Sequence, residues 1–340
     1  MGVLLIYTGG TVGMARDPKT GTLSPIDFKN IEQHLPVLNN FTFTIDYISF
    51  SPLQDSSNFN PNSWIKIAKT IEENYDKYDG FVVLHGTDTM AYTASALSYM
   101  LENISKPVIL TGAQLPVGLV RTDGRENIIT SIELAAAKEN GESIIQEVCI
   151  YFNNKLTRGN RTTKISTEHF SAYISPNYPT LVDVGLHLKY NYNAIRHQHT
   201  DAELTVNTYF DDNVAILKLF PGINKNYVNA VLETKDVKAV IMETFGAGNG
   251  PTDSWFINRL KQYIDGGGIL LNITQCNGGV VEMGQYETSR EMKAIGVIGG
   301  KDLIFEAAVT KLMFLLGNHD SREEIIKRIT EPIAGEISEL

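Results

Sequence analysis

Two cysteines in 340 residues, Cys149 and Cys276, leave no room for a disulfide framework. A chain of this length does not depend on one for its core, so a reducing, cytoplasmic compartment is expected. Long apolar runs are scarce too. The opening stretch MGVLLIYTGGTVG has no basic flank, and its apolar part is too short for a secretory signal or a membrane span. The 29 lysines and arginines form no dense run, and the formal net charge is −10. That balance disfavours a grip on nucleic acid or on an anionic membrane, so the expected partner is a small molecule or another subunit.

Several motifs are missing as well. No GxSxG elbow and no HExxH occurs, so neither a serine–histidine nor a zinc-protease mechanism has support. The Gly-rich TGGTVG matches neither GxGxxG nor GxxxxGK[ST], which leaves a nucleotide without its phosphate cradle. His197 and His199 lie in a polar stretch without a carboxylate or cysteine at metal-ligand spacing. No metal and no cofactor is expected. There is no internal repeat and no low-complexity tract.

What is present is 43% hydrophobic residue content in an alternating pattern, enough for two cores of ordinary size. VLLIYT, FTFTIDYISF, GFVVLHG, KPVILTG and EVCIYF read as strands with amphipathic stretches between most of them, the signature of βαβ units and a mostly parallel sheet. From Asn62 to Tyr75, apolar residues at Trp64, Ile67, Ala68, Ile71 and Tyr75 predict a helix that follows Pro61. The period dissolves over residues 190–212, which predicts a linker between an N-terminal domain (1–189) and a smaller C-terminal α/β domain (213–340). In the latter, NVAILKLF, VKAVIMETF and GGILLNITQC read as strands, with helices from Asn224 to Glu233 and Thr252 to Ile264.

In open α/β sheets ligands sit beyond the carboxyl ends of strands, where loops converge and helix N-termini offer free N–H groups. Four successive strand ends here carry TGGTVGM, SPLQDSSNF, HGTDT and TGAQLP. Thr87-Asp88-Thr89 has two readings: a cap for the helix starting in MAYTASALSYML, or chemistry. Asp123 in RTDGREN and Asn60 before Pro61 read as caps or turn residues, and His85 as a residue that orients its loop.

YTGGTVGM and LHGTDTMAYTASALSYML, supported by DSSN, TGAQLP, RTDGREN, NNKLTRGNRTTK and NITQC, resemble the bacterial L-asparaginases, specifically the cytoplasmic type I enzymes, over nearly the whole chain. The fold this implies is a larger N-terminal, flavodoxin-like, mostly parallel α/β domain followed by a smaller α/β domain. The reaction it implies is hydrolysis of L-asparagine to L-aspartate and ammonia. Carried over by position, Thr11 is the nucleophile, and Thr87, Asp88 and Lys164 form a second catalytic cluster. Asp55, Ser56, Ser57 and Ala113 bind substrate together with Thr87 and Asp88. A lysine base near pH 7 needs a pKa about 3 units below its ordinary 10.4, and a neighbouring Asp88 opposes that, so the three residues are expected to organise a proton path jointly.

Two departures from the family are visible. The family's lid tyrosine has no counterpart in GMARDPKTGTLSPIDF, where Thr22 lies close to its place. An effector site for asparagine, matched here by Thr163, Asn249, Thr274, Gln275 and Cys276, has Glu243 where an arginine is usual. An anion there should repel an α-carboxylate, so allosteric activation is expected to be lost. The resemblance also implies a homodimer or homotetramer, with Asn249 within reach of a neighbouring subunit's site. Two alternatives stay open: the asparaginase-like subunit of a tRNA-dependent amidotransferase, which the acidic charge disfavours, and a sensor that binds asparagine without turnover.

Overall fold

A computed structural model describes residues 2–16, 23–25, 35–197, 202–319 and 321–339. Thr22 and His199 lie outside the described residues. The chain divides into two compact units, Met1–Thr208 and Tyr209–Leu340.

The first unit is built on an eight-stranded sheet. Its parallel part comprises Gly2–Tyr7 (β1), Thr44–Ser49 (β2), Gly80–Leu84 (β3), Val108–Thr111 (β4) and Val148–Phe152 (β5), in the spatial order β2-β1-β3-β4-β5. Lys155–Arg158 (β6), Val182–Val184 (β9) and Leu188–Tyr190 (β10) extend it antiparallel beyond β5. A separate two-residue ladder joins Thr163–Lys164 (β7) to Tyr173–Ile174 (β8). Every residue of β1, β3, β4 and β5 is buried, which is why these strands read as continuous apolar runs: both faces of the sheet are covered. On one face Val3, Leu5, Val82 and Leu84 meet Ile128 and Ile132 of Gly124–Ala136 (α3), with Cys149 in the same cluster.

Pro61–Glu72 (α1) shows how local chemistry fixes an element. The Asn60 side chain accepts from the Asn62 N–H at 3.0 Å, the Ser63 hydroxyl faces the Asn60 N–H, and Pro61 presets the first helical residue. Trp64, Ile67, Ala68 and Ile71 are buried along one stripe. The helix stops short of Tyr75, which opens a 3₁₀ turn and accepts from the Ser105 N–H through its hydroxyl. Met90–Met100 (α2) follows β3. Within 190–212, Tyr190 closes β10, and Thr205–Val206 pairs antiparallel with Leu101–Glu102. A two-residue bridge has no period for a sequence to display.

The second unit carries a four-stranded parallel sheet in the order β11-β12-β13-β14: Val214–Lys218, Ala239–Thr244, Ile269–Thr274 and Ile298–Gly299. Lys225–Leu232 (α4), Ser254–Asp265 (α5), Glu287–Ala294 (α6), Phe305–Asn318 (α7) and Arg322–Ile329 (α8) accompany it. Leu217, Val240, Met242, Phe256 and Leu260 form its core. Lys311 of α7 is fully buried and meets buried Glu336 at 2.6 Å, so neither charge is left bare. Among the described residues no helix is long and apolar enough to cross a membrane, and no three His, Cys, Asp or Glu side chains gather as metal ligands.

Candidate active site

The order β2-β1-β3 means that the chain leaves β1 to one side and returns on the other. Adjacent loops therefore diverge beyond the carboxyl ends of β1 and β3, the place where ligands sit in open α/β sheets. The strand ends are locked to one another by backbone bonds: Thr8 N–H donates to the Leu84 carbonyl, Gln54 N–H to Thr8, and His85 N–H to Thr111, at 2.9–3.1 Å. The Thr8 hydroxyl also donates to the Leu84 carbonyl at 3.0 Å.

Thr11 begins a 3₁₀ turn, Thr11–Gly13, whose preceding residue, Gly10, has φ 87°. A Cβ at Gly10 would stand 2.6 Å from the Cα and N of Gly86. Only glycine admits both that conformation and that approach, and so the Thr11 turn lies against the turn that carries Thr87. Gly86 in turn faces Ser56, whose hydroxyl would be 2.6 Å from a Gly86 Cβ. The glycines of TGGTVG thus bring backbones together.

Thr87 and Asp88 precede α2. The helix's N-cap is Thr89, yet its side chain makes no capping bond; the hydroxyl donates instead to the Ser56 carbonyl at 2.6 Å. Of the two readings of this triplet, a capping side chain is not realised at Thr89, whose hydroxyl is turned to a loop carbonyl. Lys164 Nζ, 77 residues away in sequence, donates to the Thr87 hydroxyl at 2.9 Å and to Asp88 Oδ1 at 2.8 Å. The lysine side chain is largely buried, whereas that of Asp88 is 65% exposed. Nζ is the donor here, so Thr87 Oγ1 accepts and its own proton points elsewhere. The Thr87 carbonyl accepts from the Tyr173 hydroxyl.

The expected substrate-binding residues divide by environment. Asp55 and Ser57 are exposed, and Asp55 Oδ1 accepts from the Ser57 hydroxyl at 2.7 Å and its N–H at 2.9 Å. The Ser57 hydroxyl and then its N–H hold the Asp55 carboxyl below its ordinary pKa. Ser56 is buried behind Gly86. Ala113 is buried just after β4. Its loop is shaped by Asp123, which stands at the N-cap of α3 but makes no cap bond: its carboxylate accepts from the N–H groups of Gln114 and Leu115 at 3.0–3.1 Å.

His85 is fully buried against Phe59. Its Nδ1 lies 2.7 Å from the Gly86 carbonyl and its Nε2 2.9 Å from the Thr93 hydroxyl. A carbonyl only accepts, so the proton sits on Nδ1. Burial pushes the ring's pKa down to about 4, which keeps it neutral.

In the second unit, Thr244 and Thr274 pair at the ends of β12 and β13, so the loops carrying Asn249 and Gln275–Cys276 leave the sheet side by side. Gln275 donates to the carbonyls of Leu219 and Glu243 at 2.6 and 2.8 Å. The Glu243 carboxylate meets Lys218 at 3.2 Å. Asn249 accepts from Thr288, and Cys276 is exposed. Thr163 belongs to the first unit, beside Lys164 in β7.

Residues 2–196 match the family described as Asparaginase, N-terminal, and residues 213–328 the Glutaminase/Asparaginase C-terminal domain. The chain belongs to the asparaginase family. Among its relatives, L-asparaginase 1 of Escherichia coli strain K12 is 41% identical over 99% of this chain and 98% of that protein. The crystal structure of L-asparaginase I from Vibrio cholerae superposes with a TM-score of 0.88 at 38% identity, covering 99% of this chain and 98% of that one. The thermostable L-asparaginase from Thermococcus kodakarensis covers both chains completely, with a TM-score of 0.90 at 30% identity. In this asparaginase-family chain, sequence reasoning missed Tyr173 and the clamp made by Asp123. Tyr173 lies outside the quoted motifs and acts through a backbone carbonyl 86 residues away; Asp123 lies in RTDGREN, but its partners, the N–H groups of Gln114 and Leu115, leave no residue type behind.

Proposed function

We propose that this chain hydrolyses L-asparagine to L-aspartate and ammonia through a threonine acyl-enzyme. The observation that carries the reading is the Lys164–Thr87–Asp88 cluster against the turn that presents Thr11. Thr11 Oγ attacks the side-chain amide carbon, and its proton leaves towards the Thr87–Lys164–Asp88 path. Collapse of the tetrahedral adduct breaks the C–N bond and releases ammonia, which takes up that proton. Water then splits the ester, giving aspartate and restoring the Thr11 hydroxyl. One difficult amide hydrolysis becomes two easier steps. Backbone N–H groups of the turn at Thr11 and of the start of α2 suit the developing oxyanion, since they are fixed before the reaction begins. Asp55, Ser56, Ser57 and Asp88 supply the polar surface for the α-amino and α-carboxylate groups, with Ala113 closing the apolar side.

In the second unit Glu243 and Gln275 are committed to partners within the unit, and the anion at 243 opposes an incoming carboxylate. Activation through Thr163, Asn249 and Thr274–Cys276 is therefore not part of this reading. The test is ammonia release from L-asparagine and L-glutamine by the parent, Thr11→Ala and Thr87→Ala. Turnover with a hyperbolic dependence on asparagine, and a loss of at least about a thousandfold in each folded variant, is expected. Binding of asparagine without ammonia release by the parent would instead support a sensor.

A further inference from the structure

We propose that Tyr173 is the positioning residue that sets the geometry between Thr87 and Lys164. The inference rests on the reading of this site as hydrolytic. A lysine side chain has many rotamers, and holding its ammonium on two chosen acceptors requires that both backbones be fixed first. Thr87 stands on a loop after β3, and Lys164 on the two-residue strand β7. Tyr173 is the residue paired with Lys164 across the β7–β8 ladder, where Thr163 pairs with Ile174 and the Ile165 N–H donates to the Ala172 carbonyl at 2.7 Å.

The Tyr173 hydroxyl, in turn, donates to the carbonyl of Thr87 itself. The connections close into a loop. Lys164 touches Thr87 through side chains, the ladder ties Lys164 to Tyr173, and the phenol ties Tyr173 back to the Thr87 backbone. The ring is held against Phe152 at the end of β5, with centroids 5.0 Å apart, and both residues are buried. A buried phenol needs a partner, and here that partner is the peptide whose side chain enters the proton path.

Tyr173→Phe keeps the ring and its packing and removes the tie to the Thr87 carbonyl. The expected result is a fall in kcat of about ten- to a hundredfold, the scale of sub-ångström to ångström misplacement in an active site, with KM changed less than about threefold. Phe152→Leu is the control: it loosens the same packing and leaves the hydroxyl, and it is expected to lower Tm while kcat stays within about twofold of the parent. A Tyr173→Phe kcat within about twofold of the parent overturns the inference. A loss confined to KM, or an equal kcat loss in Phe152→Leu, does so too, because the first assigns the hydroxyl to binding and the second to packing. Parent turnover is measured alongside; a parent that releases no ammonia removes the hydrolytic reading and this inference with it.

Discussion

The Asp55 carboxylate is gripped by both the hydroxyl and the N–H of the residue two positions on. Such a short-range grip favours the ionised form, and an ionised Asp55 suits a substrate ammonium. The direction follows from the bonds: with its folded pKa depressed, Asp55 keeps its charge to a lower pH than an ungripped carboxylate does. Ser57→Ala removes the larger of the two bonds, so the Asp55 pKa rises and the acid limb of kcat/KM moves to higher pH. A profile of kcat/KM against pH for parent and variant reads this directly, and an unmoved limb would take Asp55 out of substrate binding. The same neighbourhood divides by burial: Asp55, Ser56 and Ser57 are adjacent in sequence, yet of the three it is Ser56 that is buried, against Gly86.

Among the elements, two helix starts that look alike in sequence act differently. Asn60 caps α1 within a reciprocal box, so Asn60→Ala should cost about 1 kcal/mol of stability and leave turnover unchanged. Asp123 occupies the same position on α3 but clamps the N–H groups of Gln114 and Leu115. Asp123→Ala should therefore cost about 1–3 kcal/mol and also cut turnover by about tenfold or more, because the loop beyond Ala113 loses its anchor. Urea unfolding and ammonia release on both variants separate a cap from a clamp. What the sequence displayed follows the same line. The strands with both faces covered, and helices with one apolar stripe, were legible because burial imposes a period on neighbouring residues. The gathering of Thr11, Thr87 and Lys164 was legible only as motifs, since their meeting depends on strand order. The Tyr173 tie and the Asp123 clamp were not legible, because a backbone acceptor or donor leaves no residue type behind.

At the scale of the whole molecule, folding takes a histidine out of water. In the unfolded chain His85 accepts a proton near pH 6.5, and in the folded one only near 4. Since the unfolded state binds the proton more readily, stability is full above pH 6.5 and declines as pH falls towards 4, by about 3 kcal/mol in all. In His85→Asn this contribution vanishes, so the difference in unfolding free energy between pH 7 and pH 5 should shrink by about 2 kcal/mol relative to the parent, measured by urea titration at both pH values. The two cysteines report on folding from another direction. Cys149 sits in the core of the first unit, where burial pushes its thiol pKa far up, while Cys276 is exposed. To a thiol-reactive dye the folded chain is a one-cysteine protein and the unfolded chain a two-cysteine protein. Dye uptake beyond one equivalent thus counts the molecules whose first unit has opened.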